Sequence, residues 1–174
     1  SDIATKYGAI INSLRPKRLS TDEVGTNNVV EYEINILSDR YDIVVLLQPT
    51  SPLKLPSDID DALEIMEKQK VSSIVSVTKT DHPPEWTFKL NSKYEIVDFK
   101  KLKKIKRRQD YSPSFQLNGA IYISNIDDFL NDNLFIRNDT LAFIMPKKRS
   151  IDIDDLYDFS IAEKLFKDRI NEEW

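Results

Sequence analysis

The chain has no cysteine and only three glycines, Gly8, Gly25 and Gly119, in 174 residues. Without thiols, disulfides and thiolate chemistry are excluded, and a reducing cytoplasm is the expected setting. The glycines lie far apart. There is therefore no glycine-rich turn of the kind that usually holds phosphates after the first strand of a nucleotide-binding α/β protein. Either the chain handles no triphosphate or its front end is missing, and it opens on Ser1 rather than on a methionine. No apolar run approaches the ~20 residues that cross a bilayer, and no signal peptide opens the chain. A net charge of −4 makes no general case for binding nucleic acid. The single histidine, His82, belongs to a rigid His82-Pro83-Pro84 turn and reads as a turn residue rather than a base. No internal repeat and no low-complexity tract is present.

What is present reads as one α/β domain over residues 1–174, since 40% hydrophobic content over this length can bury one substantial core. Residues Asp2 to Tyr7 read as the end of a helix capped by Gly8, with a short strand from Ala9 to Leu14. A helix is expected from about Thr26, with Val30, Ile34 and Leu37 on one face. Ile43 to Leu47 is an uninterrupted apolar run, the pattern of a strand buried on both faces of a parallel sheet. It breaks into Gln48-Pro49-Thr50-Ser51-Pro52, which places polar side chains at the strand's carboxyl end, where open α/β sheets collect ligands. Ser57 with Asp60 reads as a capping pair for a helix whose Ile59, Ala62, Leu63 and Met66 recur at helical spacing. Ser73 to Thr78 is the next strand, and the resulting βαβ unit predicts a parallel pair.

From Lys79 to Leu117 the pattern is irregular, with a hairpin expected between Phe88 and Val97. Lys100 to Arg108, KKLKKIKRR, carries seven positive charges. Such a run suits a nucleic-acid or targeting patch, a solvated arm, or a surface that meets an anionic substrate. The acidic whole and the absence of aromatics within the run favour the latter two. Leu117 to Ser124 and Leu141 to Met145 are strands, with a short helix from Asp127 to Leu130 between them. Ser150 to Asp154 alternates, so that Asp152 and Asp154 would share one strand face. Two such carboxylates suit a hard cation such as Mg²⁺, although acidic residues also gather at helix starts to complement the dipole. Phe159, Ala162, Leu165, Phe166 and Ile170 line the expected inner face of a last helix.

Four blocks, in order, carry a resemblance. Arg15, Pro16, Leu19 and Asp22 come first, then Leu46 to Leu53 (LLQPTSPL), then the strand Ser72 to Val77 with the turn at His82-Pro83. The last block runs from Arg108-Gln109 and Pro113 through Asn118 to Ile123 (NGAIYI), and on to Ile151 to Asp154, Asp158, Ala162 and Glu163. Together they resemble the CMP-sialic acid synthetases, or acylneuraminate cytidylyltransferases. The resemblance implies a Rossmann-like nucleotidyltransferase, a three-layer sandwich with a mainly parallel sheet, N-terminally incomplete. It also implies a β-rich arm over residues 79–117, through which members dimerise. The implied reaction joins CTP and a nonulosonic (sialic-type) acid with release of pyrophosphate, using Mg²⁺, in the cytoplasm, in the service of cell-surface polysaccharide synthesis.

On that resemblance Asp152 and Asp154 are the metal ligands and, with Arg108, the catalytic set. Gln48, Lys54, Gln109, Asn118 and Asp22 would contact substrate. The family motif ends in Arg where this chain has Lys54, which keeps the charge and loses the fork. Val24-Gly25-Thr26 stands where members carry Ala-Ser-Thr or Ala-Ser-Ser. The family's opening strand and PARxGSKG-like phosphate loop have no counterpart, so little activity is expected of the chain alone. The alternative is a non-catalytic dimerising or sugar-acid-binding module. Neither reading involves nucleic acid or a membrane.

Overall fold

Four strands build the sheet: β1 (Ile43–Leu46), β2 (Ser73–Lys79), β3 (Phe115–Asn125) and β4 (Leu141–Ile144). In the computed structural model, which describes residues 2–11, 14–97 and 106–171, their spatial order is β1-β3-β2-β4. β3 runs antiparallel to both of its neighbours, whereas β2 and β4 are parallel. Three strands thus share one direction and the central one opposes them, so the sheet is mixed rather than mainly parallel. β1 and β2 do point the same way, but they are not a pair, because β3 lies between them. The reason is burial: β3 is eleven residues long and its Ala120, Ile121 and Ile123 are fully buried. β2, with six of its seven residues buried, is the other interior strand.

β1 is correspondingly an edge. Among the described residues it pairs with β3 alone, Ile43 is exposed, and Val44 to Leu46 are half-buried. The expectation of a strand buried on both faces fails there, since a continuous apolar run records hydrophobicity but not position in the sheet.

Five helices complete the described chain: α1 (Asp2–Lys6), α2 (Thr26–Ile36), α3 (Pro56–Gln69), α4 (Ile126–Asp132) and α5 (Leu156–Asn171). α3 covers one sheet face, packing Ala62 and Met66 on Ile74, Ile121, Ile123 and Met145. On the other face Val75 and Val77 meet Phe129 of α4 and Phe135, with Val30 and Ile34 of α2 alongside. The Phe129 and Phe135 rings lie 4.7 Å apart, tilted, and Phe129 is fully buried. Helix, sheet and helix form the three expected layers.

Several local expectations need correcting. α3 starts one residue early for a Ser57 cap: Pro56 takes the first helical position, its fixed φ suiting that place. The carboxylate that accepts the Leu55 N–H, at 2.7 Å, is that of Asp58 and not Asp60. Ala9 to Ile11 form no strand and Ile10 is exposed, while residues 12–13 lie outside the described residues. Ser150 to Ile153 are irregular, because no neighbouring strand offers them a ladder. On α5 Ala162 is buried and Leu165 half-buried, but Phe159 and Phe166 are exposed. The hairpin of the arm is reduced to one antiparallel bridge, Leu90 with Ile96. Residues 98–105, which include most of the basic run, lie outside the described residues. Among the described residues no helix is long and apolar enough to cross a membrane.

Candidate active site

The ladder between β2 and β3 breaks where the polar residues gather. Val75 faces Tyr122 but Val77 faces Leu117, so β3 carries three extra residues across this step. The bulge holds Asn118, Gly119 and Ala120, and Gly119 has a φ of +71°, a conformation that a β-carbon disfavours. Ser76 fills the gap in the ladder. Its hydroxyl donates to Asn118 Oδ1 at 2.6 Å and accepts the Ile121 N–H at 2.8 Å. Asn118, itself buried, donates its amide N–H groups to Ser150 Oγ at 2.9 Å and toward Met145 Sδ at 3.4 Å. Buried polar atoms without such partners would cost roughly 1–3 kcal/mol each.

The bulge brings Gly119 against the loop that leaves β1. A β-carbon on Gly119 would lie 2.7 Å from Gln48 Oε1 and 3.1 Å from both Ser51 Oγ and Asp152 Oδ2. Side chains from two segments far apart in sequence therefore converge on one point of a third. Ser51 is fully buried, with its hydroxyl 3.2 Å from the Asn118 carbonyl and 3.4 Å from Asp152 Oδ1. The loop is closed from below by Lys54, whose ammonium donates to the Gln48 carbonyl at 2.7 Å and the Ser51 carbonyl at 2.8 Å. Burial holds the Lys54 pKa below its ordinary value, and the negative charge of Asp152 opposes that shift. The Tyr122 phenol is pushed up, first by burial and then by the same carboxylate. The Ile153 N–H donates to the Thr50 carbonyl at 2.9 Å, which ties the segment carrying Asp152 to this loop.

Gln48 also faces a cleft of about 540 Å³. Its walls are Gly25 to Asn28 at the start of α2, Leu46, Tyr122 and residues 133–136. Asn27 donates to the Asn133 carbonyl at 2.8 Å, and the Asn133 amide donates to Asn28 Oδ1 at 2.7 Å, so the polar wall is knitted together. A cleft that is apolar on one side and amide-lined on the other suits a small polyhydroxylated ligand. A wider groove of about 870 Å³ lies at the opposite end of the strands, beside Ile43 and Ser72, away from this convergence.

Gln48, Asn118 and Asp152 thus come together, with Lys54 bracing the loop beneath them. Asp154 is exposed, and its backbone N–H is held by Asp158 Oδ2 at 3.2 Å. Because the segment is not a strand, the shared face inferred for Asp152 and Asp154 from alternation does not follow. Asp22 is exposed in the loop ahead of α2. Arg108 and Gln109 line a different cleft of about 340 Å³, with Lys79, Asp81 and Tyr111. His82 stacks on Trp86 at 5.7 Å, which accords with a turn residue. Sequence reading missed the part played by Ser51, Tyr122 and Asn133. The first two sit inside the conspicuous QPTSP and NGAIYI strings, whereas Asn133 has no signal beyond its αL-tolerant residue type.

For a divalent cation the donor chemistry fits. Asp152, at the convergence on Gly119, and the exposed Asp154 two residues on are both hard carboxylate donors. No group of three or more His, Cys, Asp or Glu suited to a metal exists among the described residues. Two carboxylates leave the remaining positions to water and phosphate, as Mg²⁺ prefers.

The domain is a three-layer α/β sandwich with a part-apolar, part-amide-lined cleft at one end of its strands. The chain superposes with a TM-score of 0.61 on 4-diphosphocytidyl-2C-methyl-D-erythritol synthase from Anaerococcus prevotii, covering 95% of this chain and 72% of that one. At 11% identity this likeness concerns the fold alone. No family model matches the chain, but relatives that align with most of it do. It is 32% identical over 174 residues to the CMP-N,N'-diacetyllegionaminic acid synthase of Legionella pneumophila, covering 96% of this chain and 73% of that protein. It is 34% identical over 164 residues to the N-acylneuraminate cytidylyltransferase of Escherichia coli O18:K1:H7, covering 90% of this chain. The chain spans only 39% of that enzyme's length. The pseudaminic acid cytidylyltransferase of Campylobacter jejuni is 27% identical over 169 residues, with 95% of this chain and 73% of that protein covered. The chain belongs to the family of CMP-sialic acid and related CMP-nonulosonic acid cytidylyltransferases.

Proposed function

We propose that the full-length enzyme makes a CMP-nonulosonic acid from CTP and the free sugar acid, with little activity in these 174 residues alone. The observation that carries this reading is the convergence of Gln48, Ser51 and Asp152 on Gly119, with Gln48 also lining the cleft beside the start of α2. The sugar acid would occupy that cleft, with Gln48 hydrogen-bonded to its hydroxyls and Tyr122 against its carbon skeleton. Asn118 holds the bulge that shapes the floor. Lys54 keeps one ammonium N–H beyond the two spent on the loop, available to an anionic substrate.

The anomeric hydroxyl oxygen of the acid attacks the α-phosphorus of CTP. A new phosphorus–oxygen bond forms, the bond to the β-phosphate oxygen breaks, and pyrophosphate leaves with the hydroxyl proton released. Asp152 and Asp154 would hold Mg²⁺, which when bound neutralises triphosphate charge. In phosphoryl transfer most of the protein's share is positioning and electrostatics. Gln48 supplies the first by orienting the attacking hydroxyl, and the rigid Gly119 bulge keeps it there. Arg108 and Gln109 would meet anionic groups from their own cleft once the arm is in place. Phe88, Leu90, Ile96 and Val97, all exposed on the arm hairpin, would be covered in a homodimer. Asp22 would contact substrate from the loop before α2, and the product would feed cell-surface polysaccharide assembly.

In the full-length enzyme, pyrophosphate release from CTP and Mg²⁺ should depend on an added nonulosonic acid, tested with N-acetylneuraminic, legionaminic and pseudaminic acids in turn. Gln48→Ala should raise KM for the acid about tenfold, the usual scale for one substrate hydrogen bond. An unchanged KM for the acid in Gln48→Ala together with unchanged turnover in Asp152→Asn would overturn the assignment.

A further inference from the structure

Asp58 and Arg149 form the most deeply buried ion pair among the described residues, and neither touches the cleft. Arg149 Nη2 donates to Asp58 Oδ1 at 2.6 Å, with side-chain exposures of 19% and 3%. The other Asp58 oxygen accepts the Leu55 N–H at 2.7 Å, so the carboxylate is fixed to the start of α3 and to the end of the QPTSP loop. Arg149 closes the short turn Lys147–Arg149, three residues before Asp152. No regular backbone structure holds the intervening stretch. Across the fold it is restrained by Asn118 Nδ2 on Ser150 Oγ, Ser51 Oγ on Asp152 Oδ1, the Ile153 N–H on the Thr50 carbonyl, and the Arg149 guanidinium on Asp58. The first three reach the bulge and the loop. Only the last reaches α3.

Buried ion pairs contribute little net stability compared with apolar replacements, because desolvation offsets their attraction. What this pair does contribute is a fixed distance between two otherwise irregular segments. We infer that Asp58 and Arg149 are positioning residues that set Asp152 against the Gln48 loop in its cation-binding place. The inference rests on the reading of Asp152 as a cation ligand. Groups that orient ligands from behind typically change metal affinity or activity by about 10–100-fold when removed.

The test uses Mn²⁺ as the probe, its free concentration followed by electron paramagnetic resonance, beside thermal denaturation of each variant. Asp152→Asn should abolish tight Mn²⁺ binding; unchanged binding there would overturn the ligand reading, and the inference with it. The double variant Asp58→Asn, Arg149→Gln keeps a neutral hydrogen-bonded pair and the Leu55 cap. It should stay folded yet bind Mn²⁺ at least tenfold more weakly. Arg149→Lys, which keeps the charge and loses the fork, should fall between it and the wild type. If the double variant does not fold, Arg149→Lys decides: a folded protein with weakened Mn²⁺ binding supports the inference. Wild-type Mn²⁺ affinity in folded double or Lys variants, whatever the loss of melting temperature, would reduce the pair to a structural one and refute the inference.

Discussion

Replacing Gly119 by alanine separates the cost of a conformation from the cost of a displaced site. Gly119 sits at φ +71°, and a left-handed residue other than glycine costs roughly 1–2 kcal/mol. For a domain of this size each kcal/mol lowers the melting temperature by about 2–4 °C, so a fall of roughly 2–8 °C is expected. The new methyl would also lie 2.7 Å from Gln48 Oε1 and 3.1 Å from Ser51 Oγ and Asp152 Oδ2. Ordinary contact begins near about 3.5 Å, so Gln48 must retreat by roughly 0.8 Å and the other two by roughly 0.4 Å. Gln48 Oε1 ends a long side chain that can move without unfolding the bulge, whereas the buried Ser51 hydroxyl can move only with its neighbours. Misplacement on the order of 1 Å can cost about 100-fold in rate, so kcat/KM should drop by about 10–100-fold. Circular dichroism melts and a continuous pyrophosphate-release assay read the two effects separately. A variant that loses the expected stability but keeps wild-type turnover would show that the convergence on Gly119 is packing and not a site.

Three further outcomes follow from the same geometry. Asp152→Asn or Asp154→Asn should lower turnover by at least 100-fold with the melting temperature within a few degrees of wild type, a scale typical of lost transition-state electrostatics; wild-type activity in both would remove the metal assignment. Phe129→Ala should destabilise by about 3–5 kcal/mol, since the ring is fully buried against Phe135, and urea unfolding measures this directly. The Arg137 guanidinium, on both oxygens of Asp132 at 2.7 and 2.9 Å, holds that carboxyl below its usual range. A depressed folded-state pKa adds stability above the ordinary value of 3.8, and that stability is lost as pH falls through the folded-state value. Asp132→Asn should therefore be less stable than wild type at neutral pH, with the two curves converging in acid. Parallel curves across that range would refute the pairing.

Local chemistry was legible in the chain itself. The apolar runs at Ile43 to Leu46 and Leu117 to Ser124, the periodic helix around Ala62 and Met66, and the break at Gln48 each announced an element or an end. They did so because side-chain period and proline act over a few residues. The strings LLQPTSPL, NGAIYI and IDID likewise carried the family before any coordinate was known. Strand order was not legible. Among the described residues β3 lies between β1 and β2, a placement that depends on the non-local pairing of strands and that no window of sequence contains. The meeting of Gln48, Ser51 and Asp152 at Gly119 belongs to the same category. Gly119 announced backbone freedom, but only the slipped register between β2 and β3, held by Ser76 and Asn118, decided what that freedom was for. Asp58 reads in the sequence as one more acidic residue in a first helical turn. Its burial against Arg149, 91 positions along the chain, was decided by tertiary structure alone, because charge pairing across the fold depends on distances that sequence order does not encode.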